Sequence, residues 1–461
     1  MKKKFLTSFT TVFLGVGFII MPTAQAAEPL TEVKNIVKQV YYPGVSDKTL
    51  QQAKTIEQLM SKLDPYSEYL TSAQMKQFIN SIEMNYVGVG VTVLAHTKGL
   101  KITEVVANSP AKKQGIQKGH IITKVNNKNL KGMKYEQAIA LLTGKVNTNV
   151  TITVLNPKTN HTKSYTMKRQ KLNVPNVETK RLAGGVGYIR LNSFASNSAR
   201  DLQNHMAKLK DVNSWILDLR GNPGGDVEAA EKVIGMFKKA KYAYYIKFAK
   251  DKTYYYQPPV KQKKQFNGSV AVLVDQHSAS ASEMTAAAVK GQKLGTVYGQ
   301  KTYGKGVQQG LFPLKNNKGY LKLTMAEFFG PTTGTGFTKI NRVGVTPNVK
   351  TVAGAEVQTS HKALLQKALA KNSVKTNSYV MSYNKQTMTV KPSKTLSWSK
   401  LKNAKVYVMQ IGGTTQKVTI KKASQQLVIQ PKTTLKKGST YYVKIKPTTG
   451  KSTYTYMRVG S

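Results

Sequence analysis

Cysteine is absent from all 461 residues. That absence excludes a thiol nucleophile, a disulfide framework, thiolate metal sites and a lipobox together. Histidine is sparse: the six, at 96, 120, 161, 205, 277 and 361, fall in no H-E-x-x-H or similar metal-binding spacing. A metalloenzyme is therefore not expected, and the serine chemistry read below calls for no other cofactor. Acidic residues are few, 21 against 71 Lys plus Arg, which leaves a net charge of +50. After Glu356 there are none, while 20 Lys and Arg lie between residues 357 and 461. Past the N-terminus no run is apolar and long enough to cross a bilayer, which takes roughly 20 residues.

What is present begins with an export signal over residues 1–26. Met1-Lys-Lys-Lys4 is a positive start, Phe5 to Ile20 is apolar, and Ala24-Gln25-Ala26 is a small-residue cleavage site. An exported, extracellular or cell-surface protein is expected; retention by an uncleaved N-terminal anchor is the alternative. Losing Lys2, Lys3 and Lys4 still leaves +47. So basic a chain gathers on polyanions, which outside a cell means anionic cell-wall polymer or a membrane surface. No nucleic acid partner is expected, because the lysines are scattered and form no recognisable binding motif. A surface that merely keeps the protein soluble is the competing explanation.

The length implies about three domains. From Leu30 to about Asn80 apolar residues recur at helical spacing (Ile36, Val37, Val40; Ile56, Leu59, Met60, Leu63), without strand-like runs. Asp64-Pro65-Tyr66-Ser67 breaks this pattern, and Tyr69-Leu70-Thr71 is expected to open a further helix. Residues 27–81 thus read as a helical N-terminal cap or as a dimer arm, the latter implying a homo-oligomer. Between 82 and 170 the period shifts to two, in Val87 to Val93, Leu100 to Val106 and Val150 to Val154, with a helix over Tyr135 to Leu142. Gly88-Val89-Gly90, Asn108-Ser109-Pro110-Ala111 through Gly115-Ile116, and Gly119-His120-Ile121-Ile122 through Val125-Asn126 closely resemble a circularly permuted PDZ domain of bacterial protease type. The resemblance implies that amides around Gly88, Val89 and Gly90 capture a chain-terminal carboxylate while the peptide adds a strand. His120 departs from it, standing where that type usually carries Asp.

Residues 171–371 read as an α/β core. Strands at Gly187–Leu191, Trp215–Leu219 and Val270–Val274 alternate with helices at 198–209, 227–237 and 281–290, and Leu321 to Phe329 supplies final strands. The last segment, 372–461, is expected to be a β-sandwich, with strands around Thr395–Trp398, Val406–Ile411 and Tyr441–Ile445. Its Leu435-to-Ile445 segment resembles the tyrosine-corner region of a fibronectin type III domain, with Lys437 in place of the usual proline. The fold class expected is multidomain α+β.

Two short segments carry the chemistry. In Asp275-Gln-His277-Ser278-Ala-Ser280-Ala281-Ser282-Glu283 a hydrophobic run ends in a small-residue turn that lifts Ser280 onto a helix start. In Tyr303-Gly304-Lys305-Gly306-Val307-Gln308-Gln309, 25 positions later, a glycine-flanked lysine has no acid beside it. A serine hydroxyl needs a base as it attacks. Lysine serves only when neutral, and lowering its pKa by about three units costs roughly 4 kcal/mol of lost charge solvation. Burial away from carboxylates does this, and Gln309 is the candidate to orient the amine. The tetrahedral oxyanion would meet the Ala281 N–H at the positive helix end, with Gly224 or Gly225 of Gly221-Asn222-Pro223-Gly224-Gly225 as second donor. Without Lys305, Ser280-x-x-Glu283 would read only as a capping box. His277 is expected to be a turn residue and Asp218 to anchor the glycine turn.

Leu63-Asp64-Pro65-Tyr66-Ser67-x-Tyr69-Leu70, the PDZ segment, Gly187-Tyr188-Ile189-Arg190 with Ser193-Phe194, Leu217 through Gly225, Ser278 through Glu283 and Gly304-Lys305-Gly306 together resemble the C-terminal processing peptidases, or tail-specific proteases, over residues 30–370. That resemblance implies a crotonase/ClpP-like protease core with Ser280 as nucleophile, Lys305 as general base and Gln309 as its partner. It further implies protein or peptide substrates with free C-termini and activity gated by the PDZ domain. The family's threonine-valine-glutamine after the lysine motif is here Val307-Gln308-Gln309. The alternative is a surface adaptor that binds peptide tails and wall polymer through an inactive protease domain.

Overall fold

The computed structural model describes residues 29–133, 135–249, 253–375, 383–384, 387–392 and 396–459. The expected export signal, residues 1–26, lies outside the described residues. Among those described, no helix is long and apolar enough to cross a membrane. The chain forms two compact units, residues 73–176 and the remainder.

In the 73–176 unit, strands Val91–His96, Gly99–Val105, Ile121–Val125, Asn149–Leu155 and Thr162–Lys168 form an antiparallel sheet in that order. Alternate positions turn inward, so Val93, Leu100, Ile102, Ile122, Ile152 and Val154 share one core. The Tyr135–Leu142 helix ends on Arg169, whose guanidinium donates to the Leu142 carbonyl at 3.0 Å and the Leu141 carbonyl at 2.9 Å. A cation there satisfies carbonyls that the helix leaves open. The run from Val87 to Val93 is not one strand. It breaks at Gly90, φ +86°, leaving Asn85–Gly88 to pair with Gln170–Asn173.

The larger unit is organised by a sheet ordered Val177–Leu182, Val186–Leu191, Ser214–Asp218, Ser269–Val274, Thr296–Gly299, Val349–Lys350, parallel after its first pair. Helices Ser198–Lys208, Val227–Ile234 and Ala281–Gly291 pack one face. Burial on both faces explains the unbroken apolar strands: all of Ser214–Asp218 is buried. A second sheet is built on Tyr320–Pro331, which pairs antiparallel with Glu68–Leu70, Tyr244–Phe248, Val307–Pro313 and Phe337–Lys339. Tyr69-Leu70 therefore belongs to a strand, not a helix start. Its partners Tyr320–Lys322 lie some 250 positions away, beyond any local periodicity, and the helix begins only at Ser72.

Helices Pro29–Val40, Asp47–Gln52 and Ile56–Met60 bring Val33, Val37, Leu50 and Leu59 onto Leu321 and Leu323 of this second sheet and Leu314 just after its Val307–Pro313 strand. Ser46 and Thr55 cap the shorter two by accepting from backbone N–H groups. At the other end, two sheets enclose Met388, Val390, Val408, Leu427, Ile429, Tyr441, Val443 and Ile445. The Tyr441 hydroxyl accepts from the Lys436 N–H at 2.9 Å. Trp398 starts a short helix, Trp398–Leu401, where a strand was expected. Ser397 and the helical residues after it form a local turn instead of a ladder.

Candidate active site

Ser280 occupies the first turn beyond the Ser269–Val274 strand, at the N-cap of Ala281–Gly291. Its backbone, φ 53° and ψ −116°, lies in a region that costs a non-glycine residue about 1–3 kcal/mol. Surrounding contacts hold it there. The glycine turn leans directly on it: a side chain at Gly224 (φ +103°) would come within 2.8 Å of Ser280 Cβ and 3.0 Å of the Ala281 nitrogen. Only glycine leaves room for that approach.

Asn222, fully buried, joins the two turns. Its Oδ1 accepts from Gly224 N–H at 2.9 Å, its Nδ2 donates to the Leu191 carbonyl at 2.9 Å, and its own carbonyl accepts from Ala279 N–H and the Ser282 hydroxyl. The Gly224 N–H is thereby committed to Asn222. Among the described residues no acceptor meets the N–H of Gly225 or of Ala281. Of the two glycine donors expected for an oxyanion, Gly225 is the one left available.

Behind the glycine turn lies an ion cluster. Arg220 grips Asp218 through Nε (2.8 Å) and Nη2 (2.5 Å) and reaches Glu356 at 2.6 Å, while the Tyr188 hydroxyl donates to Asp218 at 2.6 Å. Asp218 is fully buried and its charge is matched by hydrogen bonds, the condition for keeping a carboxylate inside. It anchors the strand-end turn, as the sequence suggested. His277 is exposed, its N–H bound to Asp275, and no hydrogen bond links it to Ser280 among the described residues.

Glu283 does more than cap a helix. One carboxylate oxygen accepts from Ser280 N–H at 3.0 Å and Lys305 N–H at 2.8 Å; the other accepts from Gly304 N–H at 2.7 Å and the Thr302 hydroxyl at 2.5 Å. The serine turn and the lysine turn are thus fastened to one buried group. Burial pushes the Glu283 carboxyl above the usual range, against the pull of these hydrogen bonds. Sequence pattern alone assigned Glu283 to the cap and gave Thr302 no role. Glu283 stands three residues after Ser280 and Thr302 three before Lys305, and only the fold brings the two together.

Lys305 is depressed from its ordinary value to about 8, first by burial and next by Lys322, with Asp64, Glu283 and Glu68 pulling upward. At pH 7 roughly one such amine in ten is neutral, against about one in a few thousand for a free lysine. Its Nζ lies 5.1 Å from the centre of the Tyr66 ring. No hydrogen bond joins it to Ser280 or to Gln309 among the described residues. The Gln309 amide donates instead to Thr324 Oγ1 at 3.2 Å and the Val307 carbonyl at 3.4 Å, because the strand bulges between Gln308 and Gln309. Gln309 therefore does not orient the amine in this conformation.

In the other unit, Gly88, Val89 and Gly90 are buried. The Val89 carbonyl accepts from Ala111 N–H at 2.8 Å and the Gly90 carbonyl from Val106 N–H at 2.9 Å. The Val89 and Gly90 N–H groups meet no acceptor among the described residues. Two adjacent unpaired amides are suited to an anion. Among the described residues no cluster of three or more His, Asp or Glu could hold a metal.

With this geometry in view, known proteins supply a class. The model of Peptidase family S41 matches residues 185–351, and that of the PDZ domain matches residues 78–155. A probable CtpA-like serine protease of Staphylococcus saprophyticus is 32% identical over 365 residues, 75% of this chain and 70% of that protein. Another from Staphylococcus aureus (strain bovine RF122 / ET3-1) is 33% identical over 308 residues, 66% of this chain and 61% of its own length. The chain belongs to peptidase family S41, as a CtpA-like member with a PDZ domain. It spans about three fifths of the length of the S. aureus relatives it matches. A solved photosystem II D1 C-terminal processing protease shares the fold, with a TM-score of 0.51 and 24% identity over 74% of this chain and 96% of that one.

Proposed function

We propose that the protein is an exported serine endopeptidase that takes the free C-terminus of a protein substrate in its PDZ domain and cleaves at Ser280, with Lys305 as general base. The observation that carries this reading is the Glu283 carboxylate, which holds the backbone of nucleophile and base on a single oxygen while Lys305 sits in a site that disfavours its charge. Neutral Lys305 takes the Ser280 proton as Oγ bonds to the scissile carbonyl carbon. The Ala281 and Gly225 amides receive the oxyanion. Collapse breaks the C–N bond, and the lysine ammonium protonates the leaving amine. Water then attacks the acyl-serine, giving a proton to Lys305, and release of the carboxylate returns a proton to Ser280. For this, the Lys305 amine must move onto the Ser280 hydroxyl when substrate engages, and Gln309 is assigned to orient it there.

The C-terminal module is proposed to be fibronectin type III-like and to hold the enzyme on anionic wall polymer. Lys405 and Lys446 stand directly opposite across two strands, and Tyr407 opposes Lys444, in a segment with no acid after Glu356. Like charges so placed repel, and a polyanion relieves the repulsion.

Purified wild-type, Ser280→Ala and Lys305→Ala proteins should be compared on a tail peptide with a free and with an amidated C-terminus. Both variants should lose cleavage, and amidation should weaken binding without altering the acylation step. Cleavage by either variant refutes the dyad; equal handling of both peptides refutes tail capture. A protein that captures tails but never reacts with a fluorophosphonate would instead be an adaptor.

A further inference from the structure

The aromatic ring beside Lys305 comes from the N-terminal arm, and the arm fixes it with care. Asp64 Oδ1 accepts from Tyr66 N–H at 2.8 Å, and Asp64 N–H is itself held by the Tyr41 hydroxyl at 2.7 Å. On the other side of Tyr66, the Ser67 hydroxyl accepts from Thr324 N–H at 3.1 Å. The turn is pinned to the helices through Tyr41 and to the sheet through Thr324. Tyr66 is half-buried, and its phenol, pushed up to about 12 by burial and by Tyr303, Glu283 and Asp64, stays neutral.

A ring face attracts an ammonium and does nothing comparable for a neutral amine. The ring therefore opposes the desolvation that favours the neutral form of Lys305, and it does so from a place where the amine is not bonded to Ser280. We propose that Tyr66 is a positioning residue: its ring parks the Lys305 ammonium in a resting place, so that the N-terminal arm sets how readily the base becomes neutral and turns to Ser280. This rests on the dyad reading above. The groups facing the amine are Asp64 and Glu68 of the arm, Glu283 of the 281–291 helix, Lys322 of the 320–331 strand, and the Tyr66 ring. Glu68 is ion-paired with Lys322, and of the two Lys322 weighs more on the amine. The ring is the element that a substitution can remove without changing any charge.

The test uses the full chain and two readouts. In a Ser280→Ala background, the pH midpoint for modification of Lys305 by an amine-reactive reagent is followed by peptide mass spectrometry. Replacing Tyr66 by Leu should lower that midpoint by about half to one unit, while Tyr66→Phe and Tyr66→Trp, which keep a ring, should stay at or above the parent value. With Ser280 intact, Tyr66→Leu should raise the rate of peptide cleavage below the midpoint several-fold and shift the pH profile by the same amount. An unchanged midpoint in Tyr66→Leu, or an equal shift in Tyr66→Phe, overturns the proposal. If Tyr66→Leu does not fold, a Tyr66→Trp midpoint below the parent overturns it, and one at or above the parent supports it. The modification midpoint needs no catalysis, so failure of the dyad reading would show separately, as activity surviving in Lys305→Ala.

Discussion

Around Ser280 almost every polar group is tied: Asn222 joins the two turns, Ser278 bonds the Leu219 carbonyl at 2.8 Å, and Gly224 presses on the serine itself. Around Lys305 the backbone is equally fixed, but the amine has a ring face and a ring of distant charges in place of a partner. The serine half is thus tied into one geometry, while the lysine amine is held by no hydrogen bond among the described residues. Preorganised oxyanion donors act through fixed dipoles, which favours rigidity. A lysine base must shed charge and move a proton, which favours an adjustable setting.

Substitutions on either side should separate these two designs. The largest loss is expected on the rigid side: Ser280→Ala should reduce kcat/KM by about 10³-fold or more. Asn222→Ala, which removes the side-chain bonds to the Gly224 N–H and the Leu191 carbonyl, should cost about 10²-fold in kcat, with a fall in unfolding free energy of roughly 1–3 kcal/mol. Chemical denaturation beside steady-state kinetics checks both; a kcat loss without a stability loss would mean that Asn222 is not the joint described. Glu283→Gln spans both halves. It keeps the shape but turns a donor toward backbone N–H groups, and it removes one of the charges that raise the Lys305 pKa. Cleavage should fall about tenfold while the pH midpoint moves down; a midpoint that rises contradicts the electrostatics.

The smallest effect lies farther out, at His361, buried between the core and the C-terminal module. Its Nδ1 accepts from Gly412 N–H at 2.8 Å and its Nε2 bonds the Ala183 carbonyl at 2.9 Å. Burial lowers its pKa below 6.5. The unfolded chain therefore binds a proton first as pH drops, and stability is lost from about pH 6.5 down toward the folded value. Glu231, raised to about 7 by burial, acts oppositely in that range, so the difference between wild type and His361→Gln isolates the effect. The wild type should lose more stability than His361→Gln between pH 7 and pH 5, read by chemical denaturation at the two pH values.

Sequence made the rigid half legible because its signals are local. The apolar run into Ser280, the Gly221-to-Gly225 turn and the strand–helix alternation are all written within a dozen residues. The adjustable half depends on partners far apart. Tyr66 meets Lys305 and Tyr69 joins Leu321 across some 250 positions, so the arm's Tyr69-Leu70 looked helical when it is a strand. Gln309 was placed by spacing from Lys305, and a bulge in its strand turned it to Thr324. Gly224 and Gly225 are equal candidates as donors in the sequence, and only the fold shows Asn222 already using the Gly224 N–H.

The central claim is that Lys305, neutral because it is desolvated, deprotonates Ser280. The most direct measurement is the rate of fluorophosphonate labelling of Ser280 against pH, in wild type and in Lys305→Ala. The rate should rise with a midpoint near 8 in wild type and fall to a low, pH-insensitive level in the variant. A midpoint at the ordinary lysine value near 10.5, or equally fast labelling without Lys305, would contradict it.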